Sequence, residues 1–184
     1  MTHDLDANVY LAVKLRNGAK LIRLATPGDV LGILNIYNRV IATSTAIYSE
    51  VPVTLANREA WMDERSRAGY PVLVAADDHN ILGFASYGDF RSFPGYRFTV
   101  EHSVHVAEGS RGQGLGKALV AALLPLAVAQ EKHVMIGGID ADNGASIAMH
   151  ERLGFGKVAL LPQVGYKFGR WLDLVFMQKI LASG

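Results

Sequence analysis

The 184-residue sequence contains no cysteine. A disulfide framework, a thiolate metal site and a cysteine nucleophile are therefore excluded. Charge of one sign is not in excess either, because 18 Lys and Arg stand against 17 Asp and Glu, for a formal net charge of +1. This balance disfavours a general nucleic-acid binder, which needs a concentrated basic face.

Long apolar runs are also missing. The longest, residues 118–129, is interrupted by Pro125, whereas a membrane span needs ~20 residues. The first residues, MTHDLDANVY, carry acids where a signal peptide would carry basic residues. No spacing of His or paired carboxylates suggests a metal site. We therefore expect a cytoplasmic protein that uses no metal and binds neither nucleic acid nor membrane.

What is present is enough apolar sequence for a core, since half of the residues are hydrophobic. Asn17-Gly18 between alternating apolar positions predicts a β-hairpin over residues 11–24. Thr26 and Thr54 are typical helix caps, and they predict helices from Pro27 and over residues 55–68. Strands are predicted at 72–76, 81–87, 98–106, 134–139, 157–161 and 172–179, and helices at 116–130 and 145–153. This mixed order predicts one α/β domain.

The stretch GSRGQGLGKAL, residues 109–119, follows a predicted strand and opens a predicted helix. It lacks the hydroxyl that a P-loop places after Gly-Lys, and its glycines are spaced by two rather than as Gly-x-Gly-x-x-Gly. What remains is a pyrophosphate site, where backbone N–H groups at a helix N-terminus bind the anion and Arg111 and Lys117 add charge. The alternative is a flexible turn with a glycine cap.

The residues Arg111 to Gly116 resemble the (Gln/Arg)-x-x-Gly-x-(Gly/Ala) signature of the GCN5-related N-acetyltransferases. The segment DADNGASIAMHERLGF, residues 140–155, is similar to the second signature of that superfamily. Within it, residues 42–54, 88–106 and 164–174 resemble the phosphinothricin and methionine sulfoximine N-acetyltransferases. The resemblance covers residues 22–179. It implies a central mixed, mostly antiparallel twisted sheet flanked by helices, here with an extra N-terminal hairpin strand.

The resemblance implies acetyl-CoA as co-substrate and assigns its contacts. The pyrophosphate would be held by the loop, and the pantetheine arm by the strand before it and by the start of the later helix. A helix cap is the alternative role for Asn143. The implied cofactor-binding residues are Val104, His105, Val106, Arg111, Gly112, Gln113, Gly114, Leu115, Gly116, Lys117, Asn143 and Ser146.

Two side chains are candidates for proton transfer. Glu101 lies in an otherwise apolar or small strand, and the resemblance places the family's catalytic glutamate there; a solvent-facing edge glutamate is the alternative. His150 matches a histidine to which the phosphinothricin-type enzymes assign a catalytic role, as acid or as base. The alternative is a surface histidine on a helix. We expect His102 and His105 to contribute to packing or to the cofactor wall.

The same resemblance assigns substrate contacts to Arg91, Tyr96 and Phe93. Arginine suits an anionic group because its fork pairs with carboxylate or phosphinate at two points. Phe93 stands where some phosphinothricin-specific members carry a second basic residue, which favours a neutral sulfoximine or sulfone side chain.

The resulting hypothesis is an acetyl-CoA-dependent enzyme that acetylates the α-amino group of a small amino acid. The alternatives are a protein or peptide N-acetyltransferase and a non-catalytic acetyl-CoA sensor. We expect residues 1–20 to be an extension, residues 21–184 to form the acetyltransferase domain, and two copies to form a homodimer. The sequence leaves open whether detoxification or metabolism is the purpose.

Overall fold

A computed structural model describes residues 11–15 and 18–181 of the chain, with side-chain burial from residue 21 onward. The strands are β1 (Leu11–Leu15), β2 (Gly18–Leu24), β3 (Val72–Ala76), β4 (Ile81–Asp89), β5 (Thr99–Val106), β6 (Val134–Asp140), β7 (Gly156–Lys167) and β8 (Arg170–Ile180). The helices are α1 (Val30–Thr43), α2 (Leu55–Arg67), α3 (Leu115–Ala129) and α4 (Gly144–Glu151).

The strands form one eight-stranded sheet in the order β1-β2-β3-β4-β5-β6-β8-β7. Only the β5–β6 pair is parallel, and the others are antiparallel. The predicted mixed, mostly antiparallel α/β sheet is therefore confirmed. The N-terminal hairpin strand is confirmed too, because β1 pairs with β2, although its predicted turn residue Asn17 lies outside the described residues.

Alternation along the strands divides the core between the two faces of the sheet. Ala85 and Tyr87 of β4 join the cluster that contains Leu119 and Leu123 of α3. Phe84 joins the second cluster, with Ile33 and other residues of α1. We call these the α3/α4 face and the α1/α2 face.

The C-terminal hairpin is longer than the sequence indicated. The strands predicted at 157–161 and 172–179 are too short, because β7 continues to Lys167 and only Phe168 and Gly169 join it to β8. Pro162 is tolerated because the register shifts between Leu161 and Gly165 on this edge strand, where a missing N–H removes no ladder bond. Phe168 and Gly169 both have positive φ, 51° and 75°, as a two-residue hairpin turn requires.

A buried lysine attaches this hairpin to the loop between α1 and α2. Lys167 Nζ donates to the carbonyl oxygens of Ile41, Ser44 and Ile47 at 2.7, 2.6 and 2.8 Å. All three ammonium protons are thereby used. This loop reaches the functional site through Ala46, so Lys167 fixes one of its walls.

Candidate active site

The two central strands of the sheet separate part of the way along their length. β5 and β6 are paired from Thr99↔Val134 to His102↔Gly137. Beyond that point, residues 103–106 of β5 have no strand partner on the β6 side among the described residues. Backbone donors and acceptors that face this gap are open to a ligand, because unpaired strand edges bind extended chains.

Two glycines of β6 face the last paired residues of β5. A Cβ on Gly137 would lie 2.9 Å from His102 Nε2, and a Cβ on Gly138 would lie 3.1 Å from Glu101 Oε1. The two positions point to opposite faces of the sheet, as alternation requires. The absence of side chains at both positions leaves room for Glu101 on one face and His102 on the other.

The glycine loop lies at the end of the gap and has the geometry of an anion site. Gly112 and Gly114 have φ of 74° and 87°, values that other residues rarely adopt. Gly114 is the N-cap of α3, and the first N–H groups of a helix have no intrahelical acceptor. Arg111 Nε donates to the Val106 carbonyl at 3.3 Å and Gln113 Nε2 to the Gly109 carbonyl at 3.3 Å, so both side chains brace the loop.

Two adjoining cavities extend from the gap. The histidine cavity, of about 420 Å³, is lined by Glu101, His102 and His150. The glycine-loop cavity, of about 490 Å³, is lined by the loop and the start of α3. They share Ala46, Val104, His105, Asn143 and Ser146. Together they form one cleft that passes from the glycine loop through the opening in the sheet.

Glu101 lies on the α1/α2 face, at the mouth of the gap. Its side chain is partly buried, and desolvation raises the pKa of the carboxyl above its ordinary value, while the charge of Arg91 opposes that shift. A raised pKa makes a carboxylate a stronger proton acceptor near neutral pH. Glu101 faces inward, as predicted, and lies beside the cavity and not at an outer edge of the sheet.

His102 and His150 form a buried pair on the α3/α4 face. His150 Nδ1 lies 2.7 Å from the Ser146 carbonyl, so that nitrogen carries a proton and donates it. His150 Nε2 lies 3.2 Å from His102 Nε2, which fixes His102 Nε2–H as the donor. Burial lowers the pKa of His102 to about 3 and also lowers the pKa of His150. Both rings are therefore neutral at pH 7.

His105 lies on the opposite face from this pair. Its ring contacts Tyr37 edge-on at 5.8 Å and Phe84 at 5.2 Å, and burial lowers its pKa to about 4. A neutral ring among aromatic rings is consistent with a wall residue. Asn143 caps α4, its side chain accepting from Ser146 N at 3.1 Å, so the capping role is confirmed, and it also lines both cavities.

The structure brings most of the predicted site residues together, but not all of them. Gln113 lines neither cavity and instead braces the loop. Arg91, Tyr96 and Phe93 belong to the exposed segment after β4, with Phe93 71% exposed, and line neither cavity. Arg91 lies over the Phe90 ring at 5.0 Å and interacts electrostatically with Glu101.

Sequence reasoning missed the residues of α2 that line the histidine cavity. They are Arg58, Trp61 and Arg65. Their spacing of three and four residues on a capped helix was the available signal. It was easily overlooked because α2 is otherwise polar and exposed.

β5 separates from β6, a glycine loop follows β5 at a helix N-terminus, and the desolvated Glu101 lies beside the gap. Together these features define an acyl-CoA-dependent transferase. Residues 33–155 match the model of the acetyltransferase (GNAT) family, and the chain belongs to that family. It is an acetyltransferase, and acetyl-CoA is its co-substrate. Neither a cluster of potential metal ligands nor a helix able to cross a bilayer occurs within the described part of the chain.

The chain is similar in sequence and structure to several named acetyltransferases. The chain is 56% identical over 158 residues to the L-methionine sulfoximine/L-methionine sulfone acetyltransferase of Pseudomonas aeruginosa, covering 85% of this chain and 92% of that protein. The structure of yncA from Salmonella typhimurium with its cofactor acetyl-CoA matches with a TM-score of 0.87 and 47% identity, covering 89% and 94% of the two chains. A ribosomal-protein-alanine N-acetyltransferase from Brucella melitensis matches with a TM-score of 0.86 and 50% identity, covering 88% and 99%.

Proposed function

We propose that this protein transfers the acetyl group of acetyl-CoA to the α-amino group of a small free amino acid, of the methionine sulfone or sulfoximine type. One observation carries the proposal: the gap between β5 and β6 joins the glycine loop on one face to Glu101 on the other. The names of the most similar relatives supply the substrate class.

Bound acetyl-CoA supplies an activated acetyl group as a thioester. Its pyrophosphate would bind at Arg111 to Gly116 and Lys117, where the orphan N–H groups of α3 point. Its arm would follow the free edge of β5, along Val104, His105 and Val106, towards Asn143 and Ser146. The residues present fit this group, because the backbone of the loop is open and its glycines have no side chains to occupy the space of the anion.

Glu101 would act as the general base. The amino group of a free amino acid is an ammonium at neutral pH and must lose a proton before it can attack. Burial keeps the pKa of Glu101 above its ordinary value, which increases its affinity for that proton. The second proton, which the nitrogen loses on acyl transfer, would pass to the leaving sulfur. His150 would carry it on Nε2, the nitrogen that accepts from His102 in the resting site, once that hydrogen bond is broken.

The segment of Arg91, Phe93 and Tyr96 would contact the distal part of the substrate. Tyr96 packs edge-on against Phe90 at 5.9 Å, and Phe90 against Phe176 at 6.1 Å, so the segment is anchored next to β8. Arg91 is electrostatically coupled to Glu101. Both facts support a role at the rim of the site.

Protein N-termini are the second candidate substrate, favoured by the similarity to the ribosomal-protein-alanine N-acetyltransferase. The test is release of CoA thiol with L-methionine sulfone, L-methionine sulfoximine, phosphinothricin and alanine-terminated peptides. The proposal expects turnover of the free sulfone and sulfoximine. Turnover of peptides alone would favour the second candidate, and binding of acetyl-CoA without any turnover would indicate a sensor.

We also propose a cytoplasmic homodimer, with residues 21–184 as the acetyltransferase domain and residues 1–20 as an extension. The support for a dimer is an apolar surface on the C-terminal hairpin at the edge of the sheet. Its exposed side chains are Val158, Leu160, Val164, Tyr166, Phe168 and Trp171. Exposed patches of this kind are typical of protein interfaces, and sedimentation analysis tests it. A cytoplasmic enzyme would have access to acetyl-CoA.

A further inference from the structure

Two arginines of α2 enter the histidine cavity from the same side. Arg58 and Arg65 are separated by two helical turns, so they share one face of α2. That face packs towards β4 and β5, and both side chains line the cavity that contains Glu101.

Arg58 is a buried cation that has no counter-ion within the part of the chain that the structure describes. The residue is 8% exposed, and its guanidinium lies over the rings of Tyr37 at 4.2 Å and Trp61 at 5.0 Å. Among the described residues its hydrogen-bond acceptor is the neutral Asn57 Oδ1, at 3.1 Å from Nε and 2.8 Å from Nη2. Burial lowers the pKa of Arg58 from its ordinary value, but an arginine remains charged at neutral pH.

The Arg65 guanidinium lies against β4 beside the proposed base. A Cβ at Gly88 would lie 1.6 Å from Arg65 Nη1, so the guanidinium occupies the space that a side chain at 88 would need. Gly88 is directly opposite Glu101 in the β4–β5 ladder, and opposed positions point to the same face of a sheet. Arg65 Nε is buried and has no hydrogen-bond partner.

The described residues provide neither arginine with an acidic partner within salt-bridge distance. Asp89, an acid of the same cavity wall, accepts a hydrogen bond from the Tyr70 hydroxyl. Taking cations out of water without a paired anion is unfavourable. One buried and one half-buried arginine at one wall of a cavity therefore indicate a site completed by an anionic ligand.

We infer that Arg65 binds the α-carboxylate of the amino-acid substrate, with Arg58 adding positive charge from the same face of α2, an inference that rests on the proposed function. The α-carboxylate and the α-amine share one carbon, so the group that binds the carboxylate must lie next to the base. Arg65 meets that condition through Gly88. The phosphates of the co-substrate are not the occupant, because their proposed site is the glycine loop, and no residue from 109 to 117 lines the cavity that contains the two arginines. The N-terminal residue of a peptide has no free α-carboxylate, so this pair selects free amino acids.

The test compares L-methionine sulfone with its primary carboxamide, which keeps the amine and removes the negative charge. In Arg65→Gln, KM for the acid rises about 10- to 100-fold, as loss of a charge-assisted hydrogen bond predicts, while the carboxamide changes by less than about threefold and KM for acetyl-CoA is unchanged. Arg65→Lys recovers part of the loss. Arg67→Gln, an exposed residue of the last turn of α2, is the matched control and behaves as wild type.

Equal losses for the acid and the carboxamide, or no change in KM for the acid, overturn the inference. Calorimetric binding of both ligands to the CoA complex separates it from the proposed function. If wild type acetylates neither ligand but binds the acid more tightly than the carboxamide, and Arg65→Gln removes that difference in affinity, the carboxylate site is supported and the proposed acetylation is wrong. If wild type shows no preference in binding, the carboxylate site fails whatever the turnover.

Discussion

The substitution Gly137→Ala tests whether the absence of a side chain at this position of β6 makes room for the His102 ring. An added Cβ would lie 2.9 Å from His102 Nε2, 3.5 Å from Cε1 and 3.6 Å from Cδ2. The His102 ring cannot move away from the added Cβ, because it is 6% exposed, stacked on His150 at 5.0 Å and in edge contact with Phe155 at 5.5 Å. Forcing extra atoms into such packing costs about 1–3 kcal/mol.

Urea denaturation provides the measurement. We expect Gly137→Ala to lower the free energy of unfolding by about 1–3 kcal/mol. Gly156→Ala is the control, since a Cβ there meets no atom within 4 Å, and its effect should be within about 0.5 kcal/mol. Equal stability of the two variants would refute the packing argument.

The neighbouring substitution, Gly138→Ala, separates packing from chemistry. Its Cβ would lie 3.1 Å from Glu101 Oε1 and 3.5 Å from Leu174 Cδ1, at an exposed position. The carboxylate must move by a few tenths of an ångström. We expect Gly138→Ala to affect the turnover rate more than the free energy of unfolding. For Gly137→Ala we expect the larger effect on the free energy of unfolding.

Three further predictions concern the loop, the histidine pair and the buried lysine. Gly114→Val places a branched side chain at φ 87°, so KM for acetyl-CoA should rise about 10-fold or more; normal saturation in initial-rate assays would contradict this. Because burial lowers the pKa of His102 to about 3, below the unfolded value near 6.5, the protein should lose stability as pH falls below 6.5. The loss from this residue should be about 2 kcal/mol at pH 5; denaturation at pH 7 and 5 checks it, and a His102→Leu variant should lose less. Lys167→Met removes three hydrogen bonds to carbonyls and should lower the free energy of unfolding by about 2–4 kcal/mol; unchanged stability would show that the loop is held by other contacts.

The sequence predicted the features that local chemistry determines. Asn143 at a helix start, Gly114 before an apolar helix and Asn17-Gly18 between alternating strands each carry their own geometric requirement. The helix and strand order followed from these signals. The length of β7 did not, because Pro162 normally ends a strand and only its place on the sheet edge makes it tolerable.

The site was predictable where a motif carried it and not where tertiary packing assembled it. Glu101 and His150 are far apart in sequence, and their convergence on one cavity depends on where β5 and β6 separate. The lowered pKa of His150 comes from burial, and its tautomer is set by contacts with Ser146 and His102; no local sequence pattern predicts either. Arg65 acquires its significance only from Gly88, on another element.

The central claim is that Glu101 removes the ammonium proton at the opening in the sheet. The most direct measurement is the single-turnover rate of Glu101→Gln with saturating acetyl-CoA and L-methionine sulfone, alongside calorimetric binding of acetyl-CoA. The account predicts a rate lower by about 10²-fold or more with unchanged binding of acetyl-CoA. A rate equal to that of wild type, with the substitution verified, would contradict it.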